Sequence, residues 1–155
     1  MIVTIPDFNN EMIPKQHTGF GADISPGFAI RDIPEGAESI AIILDDLDVP
    51  FTKEFTHWII WNIPVCTAIP KGIPQGKAID SPISAVQGKA WGKHCYRGPK
   101  QPPFIRKTHR YRFTVYALDT MLELSAESNK RQLTQMMAGH IIECAELICT
   151  YKPER

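Results

Sequence analysis

The sequence predicts a mainly β domain in which helix is confined to the last quarter of the chain. Three observations carry this expectation. Short segments of β-branched and aromatic residues show the two-residue period of strands, 13 prolines favour ordered turns over long helices, and helical periodicity begins only after Ser125. A length of 155 residues suits one domain spanning 1–155, and no internal repeat or linker divides it.

The first clear strand is Ser39-Ile40-Ala41-Ile42-Ile43-Leu44, an apolar run ending at Asp45-Asp46, where carboxylates suit a strand end and turn. Phe55 to Asn62 alternates, with Phe55, His57, Ile59 and Trp61 on one face and Thr56, Trp58, Ile60 and Asn62 on the other. His109 to Asp119 does likewise, setting His109, Tyr111, Phe113, Val115 and Ala117 opposite Arg110, Arg112, Thr114, Tyr116 and Leu118. The Pro- and Gly-rich connections 63–76 and 91–108 are long for a compact domain, a length that often carries function. In the last quarter Ser125 is the expected N-cap, Glu127 suits the first turn, and Leu133, Met136 and Met137 form an apolar stripe closed by Gly139. His140 to Tyr151 fits two patterns, a helical stripe through Ile141, Ala145 and Ile148 or a final strand over Glu146 to Tyr151.

Composition narrows the function classes. Met1-Ile2-Val3-Thr4-Ile5-Pro6 has neither a basic nor an apolar leader segment, and no later stretch is long enough to cross a bilayer, so a cytoplasmic protein without stable membrane insertion is expected. Cys66, Cys95, Cys144 and Cys149 form no CxxC pair and read as free thiols. Between Asp80 and Asp119 there is no acidic residue, while Lys89, Lys93, Arg97, Lys100, Arg106, Lys107, Arg110 and Arg112 fall there. A positive region of this kind suits a phosphate, a carboxylate or an acidic protein partner, and a solvated basic loop explains it equally well. Nucleic acid is not expected, because residues 1–80 are acidic and no binding module is visible.

Against this background the polar clusters stand out. They are Asp46-Leu47-Asp48-Val49-Pro50, His57-Trp58, Tyr96-Arg97-Gly98-Pro99 and His109-Arg110-Tyr111. Asp46 and Asp48 lie two apart and would point the same way on an extended backbone. A carboxylate accepting from one imidazole nitrogen fixes the tautomer and leaves the other nitrogen for a pocket, a role open to His57 and His109. Each residue also has a plain reading: the aspartates as turn formers, His57 as a satisfied core histidine, His109 as a surface group. The combination argues for a site, because His57 and Tyr111 occupy strand positions where an apolar residue packs at lower cost. Pro50, Pro99, Pro102 and Pro103 stiffen the neighbouring backbone, and any of them is a candidate for a cis bond. The sequence carries no GxSxG elbow, HExxH motif or Walker-type loop, and no catalytic residue or cofactor is expected. Asp46, His57 and His109 are a ligand set that metals use, but no metal site is expected.

At these residues the chain resembles the phosphatidylethanolamine-binding protein family, in its bacterial and archaeal Raf-kinase-inhibitor-like branch. The resemblance runs from Asp23-Ile24-Ser25-Pro26 and Ile33-Pro34-Glu35-Gly36 through the clusters above, with Asn62-Ile63-Pro64 and Pro102-Pro103, to Gly139-His140-Ile141 and Thr150-Tyr151. It implies two packed antiparallel sheets with a few peripheral helices near the C-terminus, and a shallow pocket for phosphate-like anions. Asp46, His57, His109 and Tyr111 match the pocket residues, and Asp48, Pro50, Tyr96 and Gly98 match its supporting wall and loop. The resemblance further implies a binding or regulatory protein, including inhibitors of a kinase or protease, and a homodimer. A hydrolase using the histidines and Asp46 is the remaining alternative. The chain departs from the family at Leu47, where a proline is usual, at Gly27 to Arg31, which lacks a tryptophan, and at Phe104 to Lys107, which is more basic and apolar.

Overall fold

The computed structural model describes residues 1–154. They form nine strands: β1 (Ile2–Thr4), β2 (Phe28–Arg31), β3 (Ser39–Asp46), β4 (Phe55–Pro64), β5 (Ala68–Ile69), β6 (Ala78–Ile79), β7 (Ala85–Gln87), β8 (His109–Leu118) and β9 (Ile141–Tyr151), with one helix, α1 (Lys130–Met137). A small sheet has the order β1-β2-β5, and a large one the order β6-β7-β4-β3-β8-β9. Neighbouring strands are antiparallel in both. The segment after His140 is therefore strand, one of the two patterns its sequence fits.

Strand β3 is buried over its whole length, as expected of a β-branched run at the centre of a sheet covered on both faces. One face meets the small sheet. There Ile40, Ile42, Leu44, Trp58, Ile60, Phe113 and Val115 pack against Val3, Phe28, Ile30 and Ile69. The other face buries Ala41, Ile43, Ile59, Trp61 and Leu118 beneath Leu133 and Met137 of α1. Each large apolar side chain so buried contributes roughly 1.5–3 kcal/mol.

The helix begins later than the sequence indicates. Asn129, not Ser125, is the N-cap: its side chain accepts from the Gln132 amide, and Gln132 reaches back to the Asn129 amide in a capping box. Ser125 instead closes a tight turn by accepting from Ser128 and Glu127. Of the expected stripe, Leu133 and Met137 are buried and Met136 is exposed. Gly139 follows the helix at φ +83°, a conformation that favours glycine. Among the described residues the cis peptide is Ser81–Pro82, so it falls at none of the sequence candidates Pro50, Pro99, Pro102 and Pro103.

Strict alternation fails in β4. Leu44 pairs with Trp58 and Asp45 with Thr56, so His57 is an extra residue in a β-bulge. The bulge lets His57 leave the face it would share with Ile59 and Trp61 and meet Tyr111, whose ring lies 5.6 Å away on the face shared with Phe113. A second irregularity falls near Asn62, at φ +57°, whose side chain donates to the Leu122 carbonyl and accepts from the Leu122 amide.

Candidate anion-binding site

The ends of β3, β4 and β8 converge where β3 runs out of apolar residues. Asp46 pairs with Phe55 on one side and with Tyr111 on the other, which sets a carboxylate, an aromatic wall and a phenol in one row. His109 precedes Tyr111 by two residues on β8 and shares its face. These residues line a cavity of about 180 Å³, whose remaining wall includes Val49, Pro50, Trp91, Lys100, Pro102 and Ile105.

Both imidazoles are held through Nδ1. His109 Nδ1 donates to Asp46 Oδ2 at 2.8 Å, and both groups are buried. His57 Nδ1 donates to the Arg97 carbonyl at 2.7 Å. A carbonyl oxygen only accepts, so the His57 proton sits on Nδ1 and Nε2 is the nitrogen left for the cavity. Burial pulls the His57 imidazole below its ordinary range, and the Arg97 carbonyl and the Asp46 charge oppose this only in part. The ring is therefore neutral near pH 7. The Tyr111 hydroxyl is buried and makes no well-formed hydrogen bond with any described residue. Burial and the neighbouring Asp46 charge push its pKa upward, so it stays a donor.

The second carboxylate points elsewhere. Asp46 Oδ1 accepts from the Asp48 amide at 2.9 Å in a turn, and Asp48 faces outward, where Arg110 grips it through Nε at 3.0 Å and Nη2 at 2.8 Å. The expectation that both aspartates point the same way holds only for continuous strand, and β3 ends at Asp46. Asp48 is thus outside the cavity. So are Tyr96 and Gly98, which shape its support. Tyr96 is buried against Trp58 and donates to the His17 carbonyl at 2.7 Å. The Gly98 amide donates to Asp23 Oδ1 at 2.8 Å, and a Cβ there would lie 2.0 Å from the His17 oxygen. These bonds fix the loop whose Arg97 carbonyl orients His57. Of the sequence candidates, Asp46, Pro50, His57, His109 and Tyr111 line the cavity.

Trp91, Lys100 and Ile105 are lining residues that pattern reasoning missed. Trp91 sits in a tight turn at φ +50°, followed by Gly92 at φ +73°, and its ring is 5.1 Å from His57 and 5.4 Å from Phe55. Arg97 covers the Trp91 ring, with Cζ 3.6 Å from its centre, and donates to the Trp91 carbonyl. The available signal was an aromatic and a lysine inside the acid-free stretch 81–118. Much of that stretch's charge is internally compensated. Arg110 pairs with Asp48, and Arg112 joins Lys130 in holding buried Asp45 and half-buried Glu54. The Lys100 side chain forms part of the cavity wall, with its ammonium 4.5 Å from the centre of the Phe20 ring.

Among the described residues no group of three or more His, Cys, Asp or Glu side chains is placed to hold a metal ion. Asp46, His57 and His109 are accordingly not gathered as a metal set. The four cysteines are free thiols, and burial pushes Cys149 up to about 12. No helix of the described residues is long and apolar enough to cross a membrane.

A family model described as phosphatidylethanolamine-binding protein matches residues 4–152. A UPF0098 protein of Pyrococcus horikoshii is 43% identical over 145 residues, covering 93% of this chain and 72% of its own. One from Methanothermobacter thermautotrophicus is 39% identical over 142 residues, covering 90% of each. Among solved structures, a phosphatidylethanolamine-binding protein homologue from Chlamydia trachomatis superposes with a TM-score of 0.85 at 34% identity, covering 98% of this chain and 97% of its own. YbcL of Escherichia coli, described as a member of the mammalian family, gives 0.84 at 28% identity and covers 98% of both chains. With nearly its whole length matched and the same two-sheet architecture, this chain belongs to the phosphatidylethanolamine-binding protein family.

Proposed function

We propose that this protein binds a phosphate-type anion, free or as the phosphoryl group of a small molecule, between His57 and His109. The observation that carries the reading is that both imidazoles are anchored through Nδ1 and both line one cavity, together with the Tyr111 hydroxyl, which has no well-formed partner. Asp46 anchors His109 through Nδ1, Tyr111 donates a bond to the anion, and nearby Lys100 adds positive potential. His57, neutral and protonated on Nδ1, accepts from the P–OH of a monoanion or takes up a proton as the anion binds. Either way a proton accompanies the anion, so affinity falls as pH rises. The function is binding, with a regulatory role, and involves no catalytic step, metal or cofactor. The four free thiols agree with a cytoplasmic setting.

Titration with inorganic phosphate, followed through the imidazole NMR signals, tests this. Both His57 and His109 are expected to shift together with one binding constant, and phosphate that moves neither signal removes the proposal.

Phe51 and Phe104 favour a second reading. Both are exposed, and their neighbours Pro50, Pro102 and Ile105 line the cavity, so they flank its mouth as anchors for a docked kinase or protease. In that case Phe51→Ser with Phe104→Ser releases a captured partner while phosphate binding persists. A partner retained by the double variant counts against it. We also propose a homodimer, on family grounds. Light scattering should read twice the chain mass of 17.5 kDa, and a monomer mass removes the dimer.

A further inference from the structure

We infer that the ligand is a phosphomonoester carrying a small apolar group, about one ring or a short alkyl chain, rather than an aminoalkyl phosphate. The inference rests on the anion-binding reading above and concerns the part of the ligand beyond the phosphoryl group. The cavity has two kinds of wall. His57, His109 and Tyr111 offer hydrogen bonds, whereas Val49, Pro50, Phe55, Pro102 and Ile105 are apolar. Inorganic phosphate would satisfy the first set and leave the second facing water. An apolar substituent covers it, and roughly 60 Å² of apolar surface removed from water corresponds to about tenfold in affinity. The volume of about 180 Å³ encloses a phosphoryl group with a small substituent, whereas pockets that enclose drug-sized ligands span roughly 300–1,000 Å³.

An ammonium finds no counter-charge here. Asp46 is committed to His109 and to the Asp48 amide, Asp48 is clasped outside by Arg110, and Asp23, which accepts from the Gly98 amide, is not in the lining. The aromatic alternative is also taken, because Arg97 already covers the Trp91 ring. A second cation beside it would meet that guanidinium.

Calorimetric and NMR titrations of the full chain with inorganic phosphate, phenyl phosphate and phosphoethanolamine decide the matter. Phenyl phosphate should bind at least about tenfold more tightly than either of the others. In Ile105→Ser, the ratio of phenyl phosphate to phosphate affinity should fall severalfold. The inference is overturned if phosphoethanolamine binds as tightly as phenyl phosphate, or if Ile105→Ser leaves that ratio unchanged. If none of the three probes shifts His57 or His109, the anion-binding reading itself fails and takes the inference with it. Phosphate binding without the phenyl preference removes the inference alone.

Discussion

His57 donates from Nδ1 to the carbonyl oxygen of Arg97 at 2.7 Å, and this bond decides what the ring offers the cavity. With the proton fixed there and burial holding the ring below its ordinary range, His57 is neutral in the free protein near pH 7. In the unfolded chain the same imidazole titrates near its usual value of about 6.5. Between the folded and unfolded values the unfolded state holds more protons, so stability present above about pH 6.5 is lost as pH falls. The slope attributable to one group reaches at most about 1.4 kcal/mol per pH unit. Urea unfolding at about pH 7.5 and about pH 5.5 measures it, and His57→Gln should flatten the dependence.

Asp46 supplies both orientation and charge to His109 through a 2.8 Å bond. In Asp46→Asn an amide oxygen still accepts, but the carboxylate charge that strengthens the bond is gone. Charge-assisted bonds exceed neutral ones by about 1.5 kcal/mol, so phosphate affinity should fall about tenfold. Calorimetry reads the loss, and the His109 ring signals report whether the tautomer survives.

Gly98 approaches the His17 carbonyl more closely than any side chain allows, with a Cβ position 2.0 Å from the oxygen. Gly98→Ala must therefore displace the loop, at a cost of about 1–3 kcal/mol, typical of overpacking. The same shift moves the Arg97 carbonyl, so the His57 signals and phosphate affinity should change together with the melting temperature. A variant that melts lower yet binds phosphate normally would separate the loop from the site.

On the opposite face of β3, Asp45 is 1% exposed and accepts from Arg112, Lys130 and Thr56. Removing it leaves Arg112 and Lys130 with Glu54 alone and the Thr56 hydroxyl without its acceptor. Asp45→Ala should cost about 3 kcal/mol, in line with breaking a buried pair from one side. Denaturant unfolding checks this, and Asp45→Asn, which keeps a hydrogen-bond acceptor, should cost less.

Leu47 donates its amide to the Arg110 carbonyl at 2.9 Å, extending the β3–β8 pairing one residue past Asp46. A proline has no such donor. Leu47→Pro should therefore lose about 1–3 kcal/mol by leaving that carbonyl without its partner, as measured by thermal unfolding.

The parts of the fold and site that were legible in the sequence are those where a residue type contradicts its local pattern. Asp46, His57, His109 and Tyr111 announced themselves as polar groups on apolar strands, and the strands around them followed from periodicity. His57's direction was not legible, because alternation assumes equal residue counts on paired strands and the bulge opposite Leu44 adds one. Asp48 was misplaced for a related reason: the chain turns at Asp46, so spacing of two no longer means one face. Trp91, Lys100 and Ile105 lie on long loops whose path is set by distant bonds, such as Gly98 to Asp23 and Tyr96 to His17. Asn129 outcompeted Ser125 as the N-cap because Gln132 completes a reciprocal pair with it.

One anion is proposed to sit between the two histidines. A crystal structure determined from crystals grown with phosphate near about pH 6.5, where imidazole ordinarily titrates, tests it most directly. A phosphate is expected within hydrogen-bond distance of Nε2 of both His57 and His109 and of the Tyr111 hydroxyl. A cavity without an anion, in crystals that order phosphate elsewhere on the protein, would contradict it.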